Sequence, residues 1–274
     1  MTGSIEPPGS AAGRSDRPWD AAQERSATRR WWDREAPRYQ AEHGAFLGDA
    51  ELVWGPEGLT EAEAGLLGTV EGRRVLEVGA GAGSCSRWLR RQGADAVAVD
   101  LSAGQLAQSR LADARTGTRV PSVQADAAAL PFGPHTYDVV FAAYGALPFA
   151  PDDRALHREV ARVLRAGGRW VCSVPHPVRW SFPDVPGPAG LTAAHSYFDR
   201  LPYVEVDEDG TLAYVEHHRT LGDHVRSLVA AGFVVRDVVE PAWPDRNEQV
   251  WGGWSPLRGG LVPGTAIFVA ELAG

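Results

Sequence analysis

Val75-Leu76-Glu77-Val78-Gly79-Ala80-Gly81-Ala82-Gly83 is the stretch on which the reading of this chain turns. Its first half is a short apolar run with β-branched residues, the pattern of a buried strand. Its second half alternates Gly with Ala, so the backbone can turn sharply and lie against a ligand with no side chain in the way. Ser84-Cys85-Ser86-Arg87-Trp88-Leu89-Arg90-Arg91 follows as a helix start. Strand, glycine turn and helix together make the geometry that binds a nucleotide-like cofactor at the carboxyl edge of an α/β sheet.

Outward from this stretch the elements alternate. Residues 96–100 read as a second strand ending in an acid, Asp100, with a helix from near Ser102 that carries Leu106 and Leu111. A short strand covers 122–126, and 137–144 form a strongly apolar central strand. A helix from Asp152 or Asp153 to Leu164 is closed by Gly167-Gly168, and strand 169–174 begins there. This alternation predicts a parallel sheet with helices on both faces, joined by right-handed crossovers.

The flanks are less regular. Residues 1–18 are rich in Gly, Ser, Pro and Arg, and disorder is expected. Residues 19–39 read as a helix that Pro37 should end or kink. Thr60-Glu61-Ala62-Glu63 is a capping box, opening a helix with Leu66, Leu67 and Val70. After Pro175-His176-Pro177 the pattern breaks, and residues 177–216 read as a lid insertion with short strands such as 211–216. Thr220-Leu221-Gly222-Asp223 is a second capping box, for a helix with Leu221, Val225, Leu228 and Val229 on one face. Residues 233–239 form a strand, and 266–272 alternate as an edge strand would. The organisation is therefore a tail (1–18), an N-terminal helical extension (19–70), a core (71–176), a lid insertion (177–216) and the C-terminal part of the core (217–274).

Bulk properties narrow the function. A chain of 274 residues with 44% hydrophobic content suits one α/β domain with extensions. A net charge of -8 argues against a general nucleic-acid binder. All 27 basic residues are Arg, which excludes Schiff-base catalysis. Cys85 and Cys172 make neither a disulfide framework nor a four-ligand zinc site, so a cytoplasmic location and no metal are expected. The absence of a long apolar run predicts no membrane span, and the N-terminus has no signal-peptide pattern.

The run Glu77-x-Gly79-x-Gly81-x-Gly83, followed by a strand ending in Asp100, resembles the first two motifs of class I S-adenosylmethionine (SAM) dependent methyltransferases, in particular their small-molecule group. The resemblance implies SAM as cofactor and S-adenosylhomocysteine as product. It also implies an α/β fold: a doubly wound, seven-stranded Rossmann-like sheet whose last strand is antiparallel. In the family Gly79, Ala80, Gly81 and Gly83 would hold the methionine part of SAM, with Glu77 just before them. Asp100 would accept both ribose hydroxyls, a geometry suited to a carboxylate. Leu101-Ser102-x-x-Gln105-Leu106 is similar to the family's D-x-S-x-x-M-L segment, so Leu101 and Gln105 would flank the adenine. Ala125-Asp126-Ala127-x-x-Leu130-Pro131-Phe132 is similar to G/A-D-A-x-x-L-P-F. There Asp126 would accept from the adenine amino group and the Ala127 N–H would donate to the ring. Trp32-Asp33-x-x-Ala36-x-x-Tyr39 resembles the segment that precedes the core, where Tyr39 would reach the SAM carboxylate. Tyr144, at the end of the central strand, would touch the methionine portion. A dinucleotide dehydrogenase would need G-x-G-x-x-G and has no counterpart to the Asp126-Ala127 segment.

Methyl transfer is an in-line displacement served by alignment, with a base needed for hydroxyl, enolisable carbon or ammonium acceptors. His176, just past strand 169–174, is the first candidate base and His217 the second, with His218 beside it. His157 reads as a surface residue. Trp180, Phe182, Tyr197, Phe198 and Tyr203 in the lid, and Trp243, Trp251 and Trp254 near the C-terminus, would favour a flat, aromatic or hydrophobic acceptor if they converge. A small-molecule acceptor is expected, with no nucleic acid and no membrane, for a monomer or homodimer. The alternatives are a protein or nucleic-acid methyltransferase, and a regulatory protein that binds SAM without turnover.

Overall fold

In the computed structural model, which describes residues 11–274, the chain opens on strand β1 (Ala11–Arg14) and the 27-residue helix α1 (Ala21–Leu47). The tail expected over residues 1–18 thus needs correction. Residues 1–10 lie outside the described residues, but Ala11–Arg14 are a paired strand. Arg14 anchors it, ion-paired to Asp199 at 2.6 Å and donating to the Trp180 carbonyl. Helix α1 starts from Asp20 in a capping box with Gln23 and continues through Pro37 to Leu47, so Pro37 does not end it. Pro37 has no N–H for the Asp33 carbonyl. The helix persists because tertiary packing holds that turn: a Cβ on Gly104 would come 2.5 Å from the Asp33 carbonyl oxygen.

Helix α2 (Glu61–Ala64) is a single turn that does not reach Leu66 or Val70 as expected. Gly65 enters the left-handed region, and the Glu61 carboxylate takes the N–H groups of Leu66 and Leu67 that would have continued the helix.

The βα alternation then appears in the order read: β2 (Arg74–Val78), α3 (Ser84–Arg91), β3 (Asp95–Asp100), α4 (Ala103–Thr116), β4 (Ser122–Gln124), β5 (Tyr137–Ala143), α5 (Asp153–Val163) and β6 (Leu164–Pro175). Gly167-Gly168 do not close α5 as expected; the strand starts at Leu164 and takes both glycines in, with a register shift against β5 there. Next come β7 (Tyr203–Val206), β8 (Leu212–Glu216), α6 (Leu221–Ala230), β9 (Phe233–Val239), α7 (Pro256–Gly259) and β10 (Thr265–Leu272). Seven strands form one sheet in the order β4-β3-β2-β5-β6-β10-β9, parallel through β6, with β10 antiparallel to both neighbours. Residues 266–272 are therefore not an edge. They lie between β6 and β9, and Thr265 through Ala270 are all buried.

Strand alternation divides the core between the two faces. Leu76, Val140, Cys172 and Phe268 pack with Leu156 of α5 and Leu228 of α6 on one face. Val75, Phe141, Val171 and Ile267 pack with Leu89 of α3 and with Trp54 on the other. A second sheet, β1-β7-β8, lies on α1, where Ala27 packs with Val204, Leu212 and Val215.

Candidate active site

A cavity of about 400 Å³ lies at the carboxyl ends of β2, β3 and β5, beneath α1. The glycine turn forms its floor. Gly79 and Gly81 have φ of 71° and 53°, the left-handed region where a side chain is strained. The N–H groups of Gly79 and Ala80 both donate to the Val99 carbonyl, fixing the turn to β3.

Asp100 closes this corner. Its Oδ2 accepts from the Gly81 N–H at 2.7 Å and its Oδ1 from the Ser102 N–H at 2.8 Å. Burial pushes its carboxyl up to about 6 against the pull of these bonds, and the nearby Asp33 adds to the rise. Glu77 is buried deeper, and its Oε2 accepts both the N–H and the hydroxyl of Ser86 in the first turn of α3. Burial drives it up to about 7. Glu77 thus braces the turn against a helix N-terminus, where donors would otherwise lack partners.

Leu101, Ala127, Gln105 and Asp126 line the adjoining wall. Asp126 Oδ1 accepts from the Ala128 N–H at 2.9 Å, and its Oδ2 faces Arg25 Nε of α1 at 3.3 Å. Gln105 Oε1 is buried without a hydrogen-bond partner, and so is Thr28 Oγ1 on the α1 side. Buried polar atoms are normally paired, so two orphans on residues that line one cavity are open to a polar ligand there. Tyr144 has φ of 62°, receives a place at the cavity through its N–H bond to Ser173 Oγ at 2.8 Å, and donates its hydroxyl to the Gly264 carbonyl at 3.2 Å.

The roof is aromatic. Trp32 and Tyr39 project from α1 with ring centroids 5.4 Å apart, Phe149 meets Trp32 at 5.5 Å, and Trp251 lies 6.1 Å from Tyr39. Trp251 is itself stacked on His43 at 4.2 Å. Thr28, Trp32 and Tyr39 recur at intervals of four and seven, one face of a helix, so helical spacing extends the Trp32-to-Tyr39 motif back to Thr28.

Several expected site residues stand elsewhere. Gly83 does not line the cavity; it is the N-cap of α3, and a Cβ there would meet Ser109 Oγ at 2.8 Å. His176 and His217, the expected candidate bases, do not line the cavity. His176 Nδ1 accepts from the Val178 N–H, which leaves the ring proton on Nε2, 2.8 Å from Glu240. His217 Nε2 lies 3.1 Å from Glu24 of α1. His218 Nε2 is 2.7 Å from the Tyr197 carbonyl. His157 is buried rather than on the surface, its Nδ1 taking the Trp170 indole N–H, and burial lowers it to about 4.

The 177–216 segment contributes no residue to the cavity wall. Three of its aromatics pack on residues further along the chain, Trp180 and Tyr197 on His218 and Phe182 under Arg258. Of the three late tryptophans only Trp251 reaches the cavity. Among the described residues no group of three or more His, Cys, Asp and Glu is arranged to hold a metal, and no helix is long and apolar enough to cross a membrane.

Solved structures that share this arrangement include several SAM-dependent methyltransferases. A methyltransferase-domain family model matches residues 75–168. Demethylmenaquinone methyltransferase of Mycobacterium tuberculosis is 32% identical over 196 residues, 70% of this chain and 76% of that protein. This chain belongs to the class I SAM-dependent methyltransferases. An uncharacterized Mycobacterium tuberculosis protein is 37% identical over 150 residues, and that match spans only 54% of its length. The solved structure of an S-adenosylmethionine dependent methyltransferase from Mesorhizobium loti has a TM-score of 0.62 at 28% identity, covering 79% of this chain and all of that one. Burkholderia thailandensis 1,6-didemethyltoxoflavin-N1-methyltransferase, solved with S-adenosylhomocysteine, shares the fold at a TM-score of 0.62 and 18% identity, with 99% of each chain covered. The seven-stranded methyltransferase sheet, with its one antiparallel strand, is the fold this family shares.

Proposed function

We propose that this methyltransferase moves the methyl group of SAM to a small, flat, largely apolar acceptor. The single observation that carries the reading is Asp100, a half-buried carboxylate tied to the glycine turn on a cavity with two orphaned polar atoms. The donor set fits SAM. Asp100 keeps lone pairs for a ribose diol. Asp126 keeps acceptor capacity for an exocyclic amine, and Gln105 has a free acceptor. Tyr39, whose phenol burial keeps protonated, would donate to the methionine carboxylate. Gly79, Ala80 and Gly81 present backbone at close range, and Leu101 and Ala127 would sandwich a flat base. Tyr144 would limit the methionine end.

Bound SAM supplies an electrophilic methyl on a sulfonium. The chain's own part is to align the acceptor and keep water out. Around Tyr39, Val53, Pro56 and Trp251 the wall carries no charged side chain, which suits an uncharged ring rather than a peptide or a nucleic acid. The named activity of the demethylmenaquinone relative supports an acceptor of this kind. Two buried free thiols agree with a reducing, cytoplasmic setting. The test has two stages. Calorimetry with SAM and S-adenosylhomocysteine should give micromolar binding, and failure of both on folded protein removes the reading. A panel of naphthoquinols and phenols assayed for S-adenosylhomocysteine release, against cationic and peptide acceptors, then tests the acceptor class.

A further inference from the structure

The binding reading leaves one carboxylate without a task. Asp33 lies on α1, outside the cavity wall, and its Oδ1 accepts two hydrogen bonds from α4: Ser102 Oγ–H at 2.7 Å and the Gly104 N–H at 2.9 Å. Ser102 in turn gives its own N–H to Asp100 Oδ1, and Asp100 Oδ2 holds the Gly81 N–H. Asp33, Ser102, Asp100 and Gly81 thus form one unbroken hydrogen-bonded chain from the roof helix to the glycine turn. The backbone is committed to the same contact. A Cβ on Gly104 would stand 2.5 Å from the Asp33 carbonyl oxygen and 2.8 Å from its Cα, so α1 rests on α4 only because residue 104 is glycine. That carbonyl is the one Pro37 leaves without an intrahelical N–H.

Helix α1 also carries Thr28, Trp32, Tyr39 and Gln40, which form the roof. A ligand seated on the glycine turn is therefore covered by a helix whose attachment passes through the residue expected to bind its ribose. Arg25 and Asp126 make a second tie at 3.3 Å; Asp33 is open to solvent too, but it alone adds the close backbone approach of Gly104 to its hydrogen bonds.

We propose that Asp33 is a positioning residue that latches α1 over the cofactor, so that cofactor release requires the Asp33–Ser102/Gly104 contact to open. The proposal rests on the SAM-binding reading. It assigns Asp33 no contact with SAM; it acts through Ser102 on Asp100 and through α1 on the roof.

The test is the dissociation rate of S-adenosylhomocysteine, followed by stopped-flow tryptophan fluorescence with the intact chain. D33A should release it at least tenfold faster than the wild type. G104A, which touches no cofactor-facing atom, should do the same by wedging α1 away. D33N should stay within about threefold, because an amide oxygen can accept both bonds. Trypsin cleavage at Arg29, Arg30 and Arg34 gives a second readout: S-adenosylhomocysteine should protect these sites in the wild type and in D33N, and protect them poorly in D33A. Release by both D33A and G104A within twofold of the wild-type rate overturns the latch, and so does a D33N variant as fast as D33A. Should D33A fail to fold, G104A decides alone. If the wild type itself binds no S-adenosylhomocysteine, the cofactor reading fails and takes the latch with it.

Discussion

Gly79 and Gly145 lie backbone against backbone: a Cβ on Gly145 would overlap the Gly79 carbonyl oxygen, and one on Gly79 would come 2.7 Å from the Ala146 nitrogen. The glycine turn after β2 and the turn after β5 therefore interlock at the cavity floor. A methyl group at position 79 meets this backbone and also the cost of φ near 71°, about 1–2 kcal/mol by itself. Gly79→Ala should lower stability by more than that cost in chemical denaturation. It should also weaken S-adenosylhomocysteine binding at least tenfold in calorimetry, because the turn can relieve the contact only by moving into the cavity.

Glu77 should make stability fall with rising pH. Its carboxyl stands at about 7 in the folded chain and ionises from about 4.5 once exposed, so unfolding releases a proton within that window. The stabilisation is complete below pH 4.5 and is lost as pH rises through 7. The gap corresponds to about 3 kcal/mol. Denaturant melts of the wild type from pH 4.5 to 8 should include this decline, and Glu77→Gln should lack it.

Asp100→Asn should keep the fold and lose cofactor affinity. One oxygen that can accept from a ribose hydroxyl is replaced by a donor, a loss of about 1.5–3 kcal/mol or roughly tenfold to hundredfold in affinity. With its carboxyl near 6, the wild type should bind S-adenosylhomocysteine more weakly as pH falls from 7 to 5, since protonation removes acceptor capacity. Calorimetry across that range should give a sloping profile for the wild type and a flat one for Asp100→Asn.

Tyr39 and Trp251 share the roof but should divide their effects. Tyr39→Phe keeps the ring packing against Trp32 and removes only the hydroxyl, so S-adenosylhomocysteine affinity should drop about tenfold with little change in melting temperature. Trp251→Ala should leave that affinity within about threefold and abolish binding of a flat probe such as a naphthoquinone to the S-adenosylhomocysteine complex.

His176 should behave as a structural residue. Its ring joins Glu240 to the Val178 backbone. His176→Ala should destabilise the chain by about 1–3 kcal/mol through the groups it leaves unpaired. Cofactor affinity should stay within twofold, as read by paired denaturation and calorimetry.

Legibility in the sequence followed the range of the interactions. The strand beginning at 75, the glycine turn at 79–83, the acid at the end of β3, the helix starts near Ser102 and at Asp152 or Asp153, and the capping box at Thr220 all arise from contacts within a few residues, and each appears where the pattern placed it. The resemblance supplied the place of the antiparallel strand; periodicity alone read it as an edge, because an alternating strand records which residues face inward and not who its neighbours are.

The sequence by itself thus determined the βα alternation, the glycine turn and the residues gathered on it, from Glu77 through Asp126. Only the tertiary structure decided what covers them. Residues 177–216 look like a lid because they lack periodicity, yet they fold with β1 into a sheet against α1, and α1 with Trp251 makes the roof. Pro37 looks like a break, yet the contact of Asp33 with Gly104 holds the helix through it. The histidines look catalytic, yet each ring is committed to a carboxylate or a backbone group distant in the chain or set by a local turn. The physical reason is common to all three. Local sequence sets backbone conformation through sterics and short-range hydrogen bonds, whereas the direction a side chain faces depends on partners far along the chain, and those partners meet only on folding.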